Sequence, residues 1–185
     1  MKKIITLALV MIIAGCQSLK HAYYDRINIS NTPESVEAVN VTYDFDQFEK
    51  EGWLTSNYYM SWFESGTNGI AYKYRAFYKS ESATLPEFVQ LYFVLKSPDW
   101  YFVDSVFNEN GFEYPVTLID RDTSTGGNIY EYFAVKLTTA KLQELTESDL
   151  RLKMVGKKGE EIFPLSALVA QAFQDRLSER ARLNK

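Results

Sequence analysis

A largely regular alternation of apolar and polar side chains between residues 70 and 79 constrains the fold of this chain more than any other feature. The apolar set is Ile70, Tyr72, Tyr74, Ala76 and Tyr78, and the polar set is Lys73, Arg75 and Lys79. Successive side chains of a β-strand point to opposite faces of the sheet. The alternation therefore predicts an antiparallel strand that buries one face and leaves the other in contact with water.

Other segments have the same strand-like character and are separated by turn signals. Residues 39–45 alternate, whereas residues 88–95 are apolar on both faces apart from Gln90, which is typical of a strand in the centre of a sheet. Asn110-Gly111 and residues 156–159 lie between apolar alternations and predict two hairpins. The short spacings argue against βαβ units.

Two segments follow a helical period instead. Thr138-Thr139 predicts the cap of a short helix over residues 140–146. After Pro164 the apolar residues fall on one stripe of a helix that ends near Arg182, and these residues are Leu165, Leu168, Val169, Ala172, Phe173 and Leu177. We therefore predict a mainly β (α+β) domain. Its antiparallel sheet is sandwich-like or barrel-like, with about seven or eight strands and a C-terminal amphipathic helix.

The first eighteen residues carry the strongest functional signal. Lys2 and Lys3 precede an apolar run over residues 4–13 that is broken only by Thr6, and the run ends in Ile13-Ala14-Gly15-Cys16. A basic start and a short apolar run are typical of an export signal. A run of ten residues is too short for a membrane-spanning helix, which needs about 20.

This segment resembles the signal peptide and lipobox of bacterial lipoproteins. The resemblance implies that diacylglycerol is attached to the Cys16 thiol, that the chain is cleaved before Cys16, and that N-acylation with palmitate-type chains follows in Gram-negative species. Gln17 replaces the Asp that retains such proteins in the inner membrane, so the resemblance implies the periplasmic face of the outer membrane. The opposing interpretation, a buried thiol in an ordinary helix, leaves the other features of the segment unexplained.

The domain organisation follows from this signal. The resemblance implies that residues 1–15 are a cleaved signal peptide and that residues 16–36 are the lipidated N-terminus and a polar tether. We expect residues 37–185 to form a single globular β-rich domain. Each buried methylene of the lipid contributes about 0.8 kcal/mol, so several acyl chains on one residue make a durable membrane anchor.

Composition excludes several classes of function. Without Lys2 and Lys3 the chain has 18 basic and 24 acidic residues, a net charge of −6, which argues against nucleic-acid binding. His21 is the sole histidine and Cys16 the sole cysteine, so we expect neither a histidine-based catalytic site nor a metal site or other cofactor site. The basic cluster Arg176, Arg180, Arg182 and Lys185 lies at the end of a helical pattern and predicts complementation of the helix dipole rather than a docking patch.

The remaining candidates are aromatic side chains and two aspartates. Exposed rings can bind sugars or proteins, although most rings of a β-rich domain fill its core. The binding candidates on these grounds are Trp53, Tyr59, Trp62, Trp100, Tyr101, Asp120 and Asp122. Asp120 and Asp122 are two residues apart, so in an extended strand they would point the same way.

Two hypotheses from different classes remain open. The first is a non-catalytic binding or adaptor module, anchored by lipid, for a protein or a glycan of the cell envelope. The second is a carboxylate-dependent envelope hydrolase of the glycosidase type, with Asp120 and Asp122 as its acids. Glycosidase chemistry requires two carboxyl groups about 5 to 9.5 Å apart in a sugar-binding cleft.

The lipid assignment predicts the behaviour of one substitution. In Cys16→Ser the sulfur that accepts the lipid is missing, so labelling with radioactive palmitate should disappear and the unprocessed precursor should accumulate. The measurement is metabolic labelling followed by electrophoresis of the membrane fraction. Normal palmitate labelling of the variant would refute the assignment.

Overall fold

The structure is a computed structural model that describes residues 29–66, 68–123 and 127–182. The predicted signal peptide, Cys16 and His21 lie outside the described residues. Within the described ranges the chain forms two α-helices and eleven strands. The helices are α1 (Thr139–Glu147) and α2 (Ala167–Arg182). The strands are β1 (Ile29–Ser30), β2 (Val41–Asp46), β3 (Glu51–Ser56), β4 (Tyr58–Trp62), β5 (Gly69–Tyr78), β6 (Phe88–Ser97), β7 (Val103–Asn108), β8 (Glu113–Thr123), β9 (Ile129–Leu137), β10 (Leu150–Gly156) and β11 (Gly159–Leu165).

All eleven strands belong to one sheet in the order β1-β4-β5-β6-β9-β8-β7-β10-β11, and β3 joins β2 to β5. The sheet curls into an open half-barrel, which confirms the predicted mainly β fold with a C-terminal helix. The predicted count of seven or eight strands is wrong, since the sheet has eleven. One extra strand arises at Asn57, where the register against β5 shifts by one residue and divides one long segment into β3 and β4.

The predicted tether overlaps the sheet at its end. Ile29 and Ser30 pair in parallel with Tyr58 and Tyr59 of β4, so the segment expected to be a tether contributes a strand to the sheet. On the opposite edge, β11 returns towards β4. The Glu64 backbone N–H donates to the Ile162 carbonyl at 2.8 Å, which ties the two margins of the curled sheet together.

The strands β5 and β6 lie inside the sheet, and for β6 the apolar pattern of residues 88–95 predicts this position. They pair from Ile70–Leu95 to Phe77–Phe88, and β6 pairs with β9 on its other side. Tyr72, Tyr74 and the other apolar members of the alternation are all buried on the inner face. The opposite face of β5 carries the long polar side chains outward, as the two-residue period requires.

The helix α2 covers the inner face, and its first turn is held by residues from other elements. The Ala167 N–H donates to Asp149 Oδ1 at 2.8 Å, and the Ser166 N–H donates to the Tyr72 hydroxyl at 3.2 Å. These bonds satisfy donors that a helix start leaves without partners. The shorter helix α1 is capped as predicted, because Thr138 Oγ1 accepts from the Lys141 N–H at 3.2 Å.

Tyrosines make up much of the core, and their hydroxyl groups differ. The Tyr72 hydroxyl has its bond to Ser166, whereas the Tyr74 hydroxyl is buried and makes no hydrogen bond within the described part of the chain. The Tyr74 ring stacks on Phe173 of α2 at a centroid distance of 5.6 Å. Burial raises the pKa of the Tyr74 phenol well above its ordinary value. Tyr74 thus stabilises the core through the packing of its ring and not through its hydroxyl.

This difference predicts opposite results for two matched substitutions. Tyr72→Phe leaves a buried N–H at the start of α2 without an acceptor, and should lower the free energy of unfolding by about 1 to 2 kcal/mol. Tyr74→Phe removes a buried hydroxyl without a described partner, and should leave the free energy of unfolding unchanged or raise it. Urea denaturation followed by tryptophan fluorescence measures both. Equal destabilisation by the two substitutions would contradict the proposed role of the Tyr72 hydroxyl.

Candidate functional site

The outer face of the sheet gathers cations and aromatic rings from four strands. Lys73 lies opposite Tyr92 and Arg75 lies opposite Gln90 in the pairing of β5 with β6. Rings from β3 and β4 flank the two cations. We call this set the outer cluster, and it comprises Trp53, Tyr58, Lys73, Arg75, Gln90 and Tyr92.

The Arg75 guanidinium is held by aromatic rings and an amide. Its central carbon lies 4.2 Å from the centroid of the Tyr92 ring and 4.8 Å from that of the Trp53 ring. Its Nε donates to Gln90 Oε1 at 3.0 Å. Contacts of this kind are cation–π interactions, which stabilise a partly desolvated cation. They orient the guanidinium without neutralising its charge.

The Lys73 ammonium lies on the same face, two residues away on β5. Its Nζ is 4.5 Å from the centroid of the Tyr58 ring and 5.5 Å from that of the Tyr92 ring. Among the described residues neither Lys73 nor Arg75 has a carboxylate within salt-bridge distance. The two half-buried cations are therefore close to each other and form no ion pair within the described structure, although the charge of Asp120 acts on Tyr92 beside them.

The pKa values of side chains in the outer cluster reflect this arrangement. Burial, with a further contribution from the charge of Arg75, lowers the pKa of Lys73 to about 8. Burial also lowers the pKa of Arg75. It raises the pKa of Tyr92 and of Tyr58, so both phenols stay protonated at neutral pH and can donate hydrogen bonds. Such a surface is suited to bind an anionic group that supplies the missing negative charge.

An aromatic margin continues the outer cluster along the sheet. Phe77 lies between Trp53 and Phe88, with centroid distances of 5.0 and 5.2 Å. At the next strand the Lys136 Nζ lies 5.9 Å from the centroid of the Phe88 ring. The margin adds apolar contact area beside the two cations, which is the composition of many protein and sugar-binding surfaces.

The predicted aromatic candidates of β3 and β4 have three different environments. Trp53 belongs to the outer cluster. Tyr59 is only 2% exposed and lies in the core, which corrects its assignment as a binding residue, because a ligand cannot reach its ring in the folded protein. Trp62 is 66% exposed at the end of β4 and lies opposite Gly69, away from the outer cluster in the register.

Trp100 and Tyr101 belong to a turn before β7 that a buried carboxylate holds in place. Glu131 is 1% exposed, and its Oε1 accepts from the backbone N–H groups of Tyr101 at 2.6 Å and Phe102 at 3.0 Å. Its Oε2 accepts from Arg121 Nε at 3.3 Å. These hydrogen bonds fix the turn that contains Trp100 and Tyr101. Among the described residues no contact joins either side chain to the outer cluster.

Asp120 and Asp122 lie on β8, opposite Tyr132 and Tyr130 of β9. Both are exposed, and each accepts the backbone N–H of the following residue, Arg121 at 2.8 Å and Thr123 at 2.7 Å. Neither lines the cavities of about 580 and 340 Å³. The two aspartates are thus on an open strand surface and not in a cleft.

Most of the outer cluster was missed by reasoning from the sequence. The polar positions Lys73 and Arg75 predict only the solvated face of a strand, and the apolar pattern of residues 88–95 predicts a central strand without assigning Tyr92 a binding role. One signal was available, since two cations two residues apart on a half-solvated strand must share a face. The strand neighbours that supply the rings are set by register, which the spacing along the chain does not reveal.

In residues 29–66, 68–123 and 127–182 there is no group of three or more His, Cys, Asp or Glu side chains placed to hold a metal ion. No helix in the same ranges is long and apolar enough to cross a membrane. No family model, curated protein or solved structure matches the chain.

The low pKa of Lys73 predicts a pH dependence of stability. In the folded protein the ammonium loses its proton near pH 8, whereas in the unfolded chain it does so near 10.5. Between these values the unfolded state binds more protons, so the free energy of unfolding of the native protein should rise relative to that of Lys73→Met. Tyrosines that titrate in the same range affect both proteins equally and cancel.

Urea denaturation of both proteins at about pH 7 and about pH 9.5 measures the difference. Lys79→Met is the matched control, because Lys79 is an exposed lysine that pairs with Glu87 at 2.8 Å. Parallel curves for the native protein and Lys73→Met would show that Lys73 titrates as an ordinary lysine.

Proposed function

We propose that this protein is a lipid-anchored lipoprotein of the cell envelope that binds, without catalysis, an envelope protein or glycan through the outer cluster. The lipid on Cys16 would hold it at the periplasmic face of the outer membrane. The basis for the anchor is the sequence of residues 1–18. The observation that carries the binding role is the pair of half-buried cations, Lys73 and Arg75, without a described carboxylate partner.

The physical argument concerns the energetics of buried charge. A partly desolvated cation costs free energy unless an opposite charge or several hydrogen bonds compensate it. The rings of Trp53, Tyr58 and Tyr92 offset part of this cost, but two like charges on neighbouring positions also repel each other. A partner with a carboxylate or phosphate group relieves both effects on binding, and Arg75 can offer its remaining N–H groups to such a group.

The alternative of a carboxylate-dependent hydrolase gains no comparable support. Its two candidate acids, Asp120 and Asp122, lie exposed on β8 and accept bonds from their own neighbours. A glycosidase needs its acids on either side of a sugar held in a cleft. The outer cluster instead offers rings, cations and an amide, which are groups that hold a ligand in place.

Photocrosslinking in intact cells tests the binding role. A photoreactive amino acid at the exposed position Lys136, beside the cluster, should yield crosslinked adducts that mass spectrometry identifies as an envelope protein or glycan. Arg75→Gln removes a charge-assisted hydrogen-bond donor worth about 1.5 to 3 kcal/mol, so the adduct yield should fall about tenfold or more at subsaturating partner.

The matched control is Arg151→Gln. Arg151 is an exposed arginine paired with Glu64 at 2.6 Å and Glu109 at 3.3 Å, and its loss should leave the adducts unchanged. The same probe at Asp175 on α2 should yield none of these adducts. An absence of adducts at Lys136, together with hydrolysis of an envelope glycan by the purified protein, would overturn the proposal in favour of the hydrolase.

A further inference from the structure

A cavity of about 580 Å³ lies at one end of the curled sheet. The turn between β2 and β3, the loop after β5 and the C-terminal part of α2 enclose it. Its volume is within the range of small-molecule sites in proteins. The cavity shares no lining residue with the outer cluster, and its lining includes Phe45, Lys50, Ser80, Glu81, Ala83 and Arg180.

Arg180 is the central polar group of this cavity. Its guanidinium carbon lies 3.5 Å from the centroid of the Tyr43 ring and 4.7 Å from that of the Tyr78 ring, and its NH2 group donates to the Glu81 carbonyl oxygen at 2.7 Å. Its Nε is buried and makes no hydrogen bond within the described residues. By contrast, Arg176 on the same helix pairs with the carboxylate of Glu179.

Arg180 therefore does not act mainly as the dipole complement that the sequence predicts for the end of this helix. Its side chain extends away from α2, and its guanidinium stacks on the Tyr43 ring of β2. The Tyr43 ring can lie flat there because residue 52 is glycine, and a β-carbon on Gly52 would come within 2.2 Å of the Tyr43 hydroxyl oxygen. The ring and the loop carbonyl thus fix the guanidinium at the edge of the cavity.

The charges around the cavity favour an anion. Lys50 is a second cation of the lining, and neither Lys50 nor Arg180 has a carboxylate within salt-bridge distance in the described part of the chain. Glu81 is the acid of the lining. The hydroxyls of Tyr43 and Tyr78 are buried beside Arg180 and lack described hydrogen-bond partners.

Apolar groups occur on the same two loops. Phe45 and Ala83 line the cavity. Phe48, on the turn between β2 and β3, is 95% exposed, and Leu85, on the loop after β5, is 72% exposed. Exposed large apolar side chains on the loops that line a cationic cavity suit a ligand that has both an anionic and an apolar part.

We propose that this cavity binds an amphiphilic oxyanion, a carboxylate or phosphate group joined to a short apolar chain. The anionic group lies against Arg180 and Lys50, where a planar guanidinium can bind two oxygens at once. The apolar chain lies against Phe45 and Ala83. This site is separate from the outer cluster, and it does not depend on the function proposed there.

Calorimetric titration of the full-length chain in phosphatidylcholine nanodiscs tests the proposal, with empty nanodiscs as the blank. The probes are hexyl phosphate, hexanoate, inorganic phosphate and hexanol, which separate the contributions of the headgroup and the chain. Hexyl phosphate or hexanoate should bind more tightly than either inorganic phosphate or hexanol. The ranking of the two anions identifies the preferred oxyanion.

Three variants localise the binding. Arg180→Gln should weaken the affinity for the tighter anion about tenfold. Arg176→Gln, on the same helix, should leave it within about twofold. Ser80→Trp fills the cavity while Arg180 is still present, and should abolish binding. A loss of affinity in both variants would assign the effect to the cavity rather than to misfolding of Arg180→Gln. Thermal unfolding of each variant accompanies the titrations.

Three results would overturn the proposal. One is the absence of binding of either amphiphilic anion to the native protein. Another is binding of hexanol as tight as that of the anions, which would assign the effect to the apolar chain alone. The third is unchanged anion affinity in both Arg180→Gln and Ser80→Trp. None of these results bears on crosslinking at Lys136, so failure here leaves the role of the outer cluster open to its own test.

Discussion

Burial of one face of the central strands against α2 is the constraint from which the other features of this structure follow. The rings of Tyr74 and Phe173 stack across that interface, and the Tyr72 hydroxyl accepts a hydrogen bond from the Ser166 backbone N–H at the start of the helix. Since the side chains of a strand alternate, a strand that turns these tyrosines inward must turn Lys73 and Arg75 outward. The core therefore determines which residues the outer face presents.

The outer face shows how a protein can hold cations at its surface without pairing them to its own acids. Rings from neighbouring strands lie beside the two charges, and Gln90 binds the Arg75 guanidinium. Arg180 repeats this solution at the end of the sheet, where Tyr43 supplies the ring. In both places a cation is oriented by rings and has no carboxylate within salt-bridge distance among the described residues. Elsewhere, exposed arginines such as Arg151 pair with carboxylates.

The extent to which sequence reasoning succeeds depends on how local the signal is. The hairpin at Asn110-Gly111, the Thr138 cap and the helix after Pro164 depend on neighbours within a few residues, and the structure has all three. The division of one long segment at Asn57 and the core position of Tyr59 depend on pairing with β5. Aromatic richness alone could not separate Tyr59 from Trp53, because the two rings differ in the face of the sheet on which they lie.

By itself the sequence determined the class of fold, the order of most elements and the face of β5 that is buried, since hydrophobic periodicity and turn chemistry act over short distances. It also carried the lipoprotein-like signal of residues 1–18, which remains a prediction about residues outside those described. Only the tertiary structure decided which side chains meet. Lys73 and Tyr92 are far apart in the chain, and strand register, curvature of the sheet and the path of α2 bring such groups together. Register reflects the packing of the whole core, and no single segment encodes it.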